Sequence, residues 1–334
     1  MNKTTLKQGL MVIVGLIIIG AAFWYNTKPS EDATTIRLGI INQPFAALAK
    51  VAIDEGFFKQ EGLNVKVNEF TAGKFALPAL LGGSLDLITV GELPVTLATL
   101  NGEKLSIVGE ISNDSFPMVL RKEGQTVFDP QTYFSTKRKI ATSVGGGPEF
   151  FAAEFFKKYN IKPSQYEVIN MAPPDMPTAL ANGNVDGIAI FEPYTSFALQ
   201  KVGADNVFIL ADSSLYSESA VIVGRSDFVA KNEQTIEKFL SALSKSENFI
   251  KQNKNQSIGI MSAFTKLDVA TLTSIWPLMS LHLDLSQRLV STMNNEAQWA
   301  KEIGKIKPET VIPNFLDIVS STALKNVSPS SVQI

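Results

Sequence analysis

The chain has 334 residues, 45% hydrophobic and 19% charged, with 30 basic side chains against 32 acidic ones. Such a composition suits a folded chain of about two domains with a sizeable core, and the formal charge of −2 offers nucleic acid no basic face. The absence of cysteine excludes disulfides, thiolate metal sites, cysteine nucleophiles and a lipid-modified cysteine anchor.

At the N-terminus, Lys3 and Lys7 precede a stretch without charge that runs to Thr27. Its length, about 20 residues, is what a bilayer span needs. The strongly apolar part, Leu10 to Ala22, is shorter and resembles a signal-peptide core, with small Gly20 and Ala22 placed for cleavage after Ala22. Trp24 and Tyr25 instead suit an interfacial anchor. Residues 1–28 therefore read as a signal peptide or a membrane anchor, and residues 29–35 as a polar linker. Either reading puts the rest of the chain outside the inner membrane.

A repeating α/β pattern follows. Ile36, Leu38 and Ile40 alternate as in a strand, and PFAALAKVAIDEGFF has helical spacing up to Gly56. LNVKVNEF alternates cleanly, with Leu63, Val65 and Val67 on one face. KFALPALLGGSLD predicts a short helix, LDLITVG a strand, PVTLATLNG a helix and LSIVGEI a strand. Strands alternating with helices predict a mostly parallel sheet covered on both faces. A second unit repeats the pattern: KIATSV, PEFFAAEFFKKYN, EVINM, MPTALANG and VDGIAIF read strand, helix, strand, helix, strand. Thr235 to Gln252 is amphipathic, with Ile236, Phe239, Leu240, Leu243 and Ile250 on one stripe. The C-terminal third reads as mostly helical, with EAQWAKEIGKI and FLDIVSSTALKNV its clearest pieces.

Between the strand KIATSV and the next helix lies SVGGGPEFF, Ser143 to Phe151. In open α/β sheets, ligands gather beyond the C-terminal ends of strands. Pro148 suits a first helical turn, and a helix N-terminus with bare glycine amides favours negative atoms. The spacing matches neither a P-loop nor a dinucleotide fingerprint. The plain alternative is a strand-to-helix turn with no ligand.

Four segments, in order, carry a resemblance: AIDEGFFKQEGLNVKV, GGSLDLITVG, ATSVGGGPEFFAAEFFKKYNI and PTALANGNVDGIAIFEPY. Together they resemble the periplasmic binding proteins of ABC importers, in the group that takes nitrate, sulfonates, taurine and thiamin-pyrimidine precursors. The resemblance implies a type II periplasmic-binding-protein fold: two α/β lobes joined by two crossing strands and clamping a ligand. Lobe one would hold residues 36–113 and 226–327, lobe two residues 114–225, with crossings near SNDSFPMVLRK and ESAVIVGRS. It also implies a monomer with no cofactor or catalysis, whose partners are a small ligand and an ABC permease in the inner membrane.

On that fold the loops after strands become ligand-binding candidates: Gln43 and Phe45; Thr71 and Gly73; Glu92; Ser115; Ser143, Gly145, Gly146, Gly147 and Glu149; Asp175; and Glu192 with Tyr194. Bland readings stand beside these. Phe45 suits a core, Gln43 a cap, and Glu92 and Glu149 a helix dipole. A sulfonate or nitrate would use the glycine amides, with Lys74 the nearest cation. The acids Glu92, Glu149, Asp175 and Glu192 suit an aminopyrimidine-like heterocycle instead. The thiamin-pyrimidine synthases, an enzymatic alternative, depend on an active-site histidine and a cysteine-rich motif. Here the single histidine, His282, stands in LMSLHLDL, a scaffold segment, and no His/Asp/Glu group has metal-ligand spacing. A membrane-tethered ligand-sensing domain is the third reading.

Overall fold

The computed structural model describes residues 34–334. The leader or anchor expected over 1–28, and most of the linker, lie outside the described residues. The strands are β1 (Thr34–Ile41), β2 (Leu63–Phe70), β3 (Leu87–Gly91), β4 (Leu105–Asp114), β5 (Pro117–Arg121) and β6 (Arg138–Thr142). They continue with β7 (Tyr166–Asn170), β8 (Gly187–Ala189), β9 (Val207–Ala211), β10 (Glu218–Arg225), β11 (Ser280–Ser286) and β12 (Val332–Gln333).

Two sheets result. One is seven-stranded in the order β12-β11-β4-β10-β3-β1-β2, the other five-stranded in the order β7-β6-β8-β5-β9. Where a helix links two strands, as from β6 to β7, the pair is parallel, because a crossover returns the chain to the same end. The expected mostly parallel sheet is nevertheless mixed. β10 runs antiparallel to both β3 and β4, and β5 antiparallel to both β8 and β9. These are the strands by which the chain enters one sheet directly from the other, so no crossover helix dictates their direction. Only Ser115 and Phe116 separate β4 from β5. On the return, β10 is hydrogen-bonded between β3 and β4, so Glu218–Arg225, grouped above with lobe two, lies in the seven-stranded sheet.

The core follows the sequence pattern. β3, LITVG, is buried at every position, as a central strand covered on both faces must be. The stripe Ile236, Phe239, Leu240, Leu243 and Ile250 is buried on the helix Glu233–Gln252. The C-terminal third departs from expectation at β11, which is extended and pairs with β4. Its sequence, SLHLDLS, alternates with period two, but is short and polar enough to hide among helical neighbours.

Candidate functional site

Two spaces lie where elements of the two sheets meet. The first is a seam at the glycine turn. β6 ends at Thr142, and the helix Gly147–Lys158 begins with Pro148 in its first turn. Gly145 has φ +86°, a left-handed conformation that strains any side chain. Two of the three amides expected to be bare are engaged from within the chain. Gly145 N–H donates to Glu149 Oε2 at 2.8 Å and Gly146 N–H to the carbonyl of Ser143 at 3.0 Å, while Gly147 lies against the Glu218 carboxylate. The turn does attract negative oxygen, as a helix N-terminus should, but much of that oxygen is the protein's own. Glu149 is further held by Lys305 at 3.0 Å.

Ser143, Gly146 and Gly147 face Gln43, Phe45 and Gly73 across a gap of only about 20 Å³, close to the space one water needs. A Cβ at Gly91 or Gly147 would overlap Glu218, so glycine is what lets β3 and the turn approach one carboxylate. Lys74 also borders the gap. Its Nζ donates to Asn170 at 3.3 Å, and burial lowers its pKa against the opposing charge of Glu149.

Behind the seam is a buried acid cluster that spans the chain from residue 92 to residue 296. Glu92 opens the helix Glu92–Leu100 fully buried. Its carboxylate accepts from the Tyr216 hydroxyl at 2.9 Å and from Ser219 N–H at 2.8 Å. Tyr216 also reaches Glu296 at 3.2 Å, and Thr96 donates to the other Glu296 oxygen at 2.7 Å. Burial pushes Glu92 up to about 8. Glu218 and Glu296 rise well above the carboxylate range through burial and the charge of Glu92. Glu92, a ligand candidate in sequence, thus has its carboxylate bound into the scaffold. The sequence hint for the cluster was Glu296, which falls on the apolar stripe of the helix Gln287–Glu302 beside Met293 and Ala297.

The second space is a chamber of about 800 Å³. Its walls are Gln43–Phe45 after β1, the passage Asp114–Pro117, the segment from Phe191 to Gln200, and the stretch Thr271–Met279. Gln43 and Phe45 thereby border both spaces, as does Phe191. Gln43 is 3% exposed, yet its Oε1 has no hydrogen-bond partner among the described residues, and neither has Asp114 Oδ1. Glu192 lines the chamber and accepts from Ser196 N–H at 3.0 Å. Burial raises both acids, Asp114 to about 7. Phe116 packs edge-on against Phe191, centroids 6.3 Å apart, and Ser115 lies beside it. Among the described residues, no Lys, Arg or His lines this chamber.

Of the other candidates, Thr71 and Asp175 are exposed and border neither space. Tyr194 is buried in aromatic contacts with Phe191 and Phe197 at 5.9 and 6.2 Å. Asp114, Phe116 and the Thr271–Met279 wall were missed. Asp114 was visible only as part of a crossing strand, and nothing local marks Thr271–Met279. One grouping has no ligand spacing in the sequence but forms in the fold: Glu110, His282 and Asp284 bring donor atoms within 4.8 Å of one another. Glu110 is already committed to Arg288 at 2.5 Å and Ser286 at 2.8 Å. Burial depresses His282, but the bond to Asp284 and the nearby acids more than offset it, and its pKa is raised.

Two mixed sheets joined by two short passages, with a cavity walled by elements from both, make this the fold of the periplasmic binding proteins. Superposition agrees. The alkanesulfonate-binding protein of Xanthomonas axonopodis, bound to MOPS, matches with a TM-score of 0.74 at 17% identity, over 86% of this chain and 99% of its own. The periplasmic nitrate-binding protein of Synechocystis matches at 0.75 and 16%, over 90% and 89%. In sequence, the taurine-binding periplasmic protein of Escherichia coli is 26% identical across 297 residues, 82% of this chain and 89% of its own. Residues 29–261 match the NMT1-like family, and the chain belongs to it. The relatives just named are binding proteins, as the sequence resemblance implied.

Proposed function

We propose that this chain is an extracytoplasmic solute-binding protein that captures a small ligand between its two lobes and delivers it to an ABC permease. The observation that carries the reading is the chamber, whose walls come from both halves of the chain and from the passage between them. A ligand that touches both walls favours the closed arrangement by its differential affinity for it, and hinge closure then buries the ligand. Neither step makes or breaks a bond. The family membership and the relatives named for periplasmic binding support the same reading, and with it a monomer outside the inner membrane, released by cleavage after Ala22 or held by residues 1–28.

For ligand class two readings stand. The names of the relatives favour an organosulfonate or nitrate-type anion. The acids around the junction favour an aminopyrimidine-like heterocycle. Thermal-shift screening of sulfonates, nitrate and pyrimidines, followed by solution scattering with each hit, tests the capture. The expected outcome is a smaller radius of gyration with a hit and no product formed from it. Steady turnover of a bound compound would replace the reading with an enzymatic one.

A further inference from the structure

Building on the capture reading, we propose that the chamber selects a largely apolar, ring-bearing ligand through an amino group, and that it discriminates against the oxyanions named for the relatives. The chemistry of the lining carries this. Its two charged side chains, Asp114 and Glu192, are acids, and among the described residues no Lys, Arg or His lines the chamber, although His282 acts on Asp114 from outside the lining. Its shielded polar atoms without partners, Gln43 Oε1 and Asp114 Oδ1, are acceptors. A ligand that satisfies them must donate hydrogen bonds, since a buried acceptor left unmade costs more than a typical bond contributes. An amine donates, and when protonated it also meets the carboxylates with opposite charge. A sulfonate or nitrate has only acceptor oxygens, so it can satisfy neither unpartnered acceptor, and it would meet negative charge wherever Asp114 or Glu192 is ionised.

The seam reinforces the point. The anion-holding feature in the sequence, the glycine turn, has the oxygens of Glu149 and Ser143 on two of its three amides, and the Glu218 carboxylate lies against the third glycine. The nearest lysine, Lys74, borders the seam and not the chamber, and its Nζ is turned to Asn170. The chamber's apolar wall includes Phe45, Phe116, Phe191, Leu199, Ile275 and Met279, and its remaining polar side chains are neutral hydroxyls and amides such as Ser115, Thr195 and Gln200. At about 800 Å³ it has the volume of pockets that enclose ring-bearing small molecules. Burial also raises the Asp114 and Glu192 carboxyls, and an ammonium group close to either would favour its charged form.

The test titrates the full-length chain with a matched pair, 1-naphthylmethylamine and naphthalene-1-sulfonate, which share a ring system and differ in charge. Octane-1-sulfonate and nitrate serve as further anions, and scattering is recorded for each. The expected result is that the amine binds and compacts the protein, with the sulfonate at least about tenfold weaker. Asp114→Asn and Glu192→Gln should each weaken the amine by about tenfold, a change of about 1.4 kcal/mol, while circular dichroism stays native. Tighter binding of any of the three anions, with compaction, would overturn the amine inference and leave the capture reading standing. Unchanged amine affinity in the Asp114→Asn, Glu192→Gln double variant would overturn it as well. If neither class binds, the amine inference falls. If, in addition, a small-molecule cell extract produces no compaction, the capture reading falls with it.

Discussion

The seam and the chamber share Gln43, Phe45 and Phe191, yet they are opposite in physical character. At the seam, the glycine turn, β3 and Glu218 have closed to about 20 Å³, and the Gly145 and Gly146 amides have partners inside the chain. The chamber leaves about 800 Å³ open and keeps acceptors without partners. A glycine run at a helix N-terminus is thus compatible with a packing joint as well as with a binding loop. What separates the two is whether its amides have already been satisfied.

That contrast is breakable by mutation, and the largest effect is expected at the seam. Gly147→Val would drive a branched side chain into Glu218 and the Tyr216 hydroxyl. Overpacking of this kind costs about 3 kcal/mol, read as a lower urea midpoint. A loss below about 0.5 kcal/mol would mean that the seam is loose. Next comes Tyr216→Phe, which removes the hydroxyl shared by Glu92 and Glu296. Stripping a donor from buried acceptors costs about 2 kcal/mol, and an unchanged midpoint would show the cluster to be wetter than described.

The pH dependence of stability sharpens the same comparison. Glu92, Glu218 and Glu296 hold their protons to higher pH in the fold than in the unfolded chain. The folded state therefore binds more protons than the unfolded one above the ordinary carboxylate value of about 4.5, and stability falls as pH rises. The decline should run from that value up to about 8 for Glu92. Stability should accordingly be lower at pH 8 than at pH 5, by on the order of 1 kcal/mol or more, read as a lower thermal midpoint. Glu218→Gln or Glu296→Gln should flatten the slope, and a midpoint that rises over this range would contradict the buried cluster. The smallest stability effect belongs to the chamber. Ser274 is exposed on its wall, so Ser274→Trp should change stability by less than about 0.5 kcal/mol. The same substitution should nevertheless abolish any ligand-induced compaction, and undiminished compaction would move the capture site elsewhere.

Legibility in the sequence tracked the range of the interactions involved. β2 was readable to the residue, because Leu63 to Phe70 alternates and is punctuated at both ends. The glycine turn, Pro148 and the helix after it were equally local. Gln43, Phe45, Ser115 and Glu192 could be nominated because each follows a strand or sits in a passage, and the structure brings all four to the chamber. Thr71 and Asp175 satisfied the same rule and stand apart, since position after a strand does not say how far the loop reaches. Glu92 looked like a ligand contact because a helix entry and a buried acid share one sequence pattern. Its true partners, Tyr216 and Ser219, are 124 and 127 residues away.

By itself the sequence determined the alternation of strands and helices, the apolar stripes that form the core, and the strand-to-helix turn at the glycine run, because these depend on backbone preferences and on spacings of a few residues. Tertiary structure alone decided that β10 joins the seven-stranded sheet, that Glu218 lies against Gly147 of the turn, and that Asp114 shares a chamber with Thr271–Met279. The reason is that satisfying a buried polar group is a problem of three-dimensional supply. Which donor reaches a carboxylate is settled by how the sheets pack, and distance along the chain carries almost no information about it.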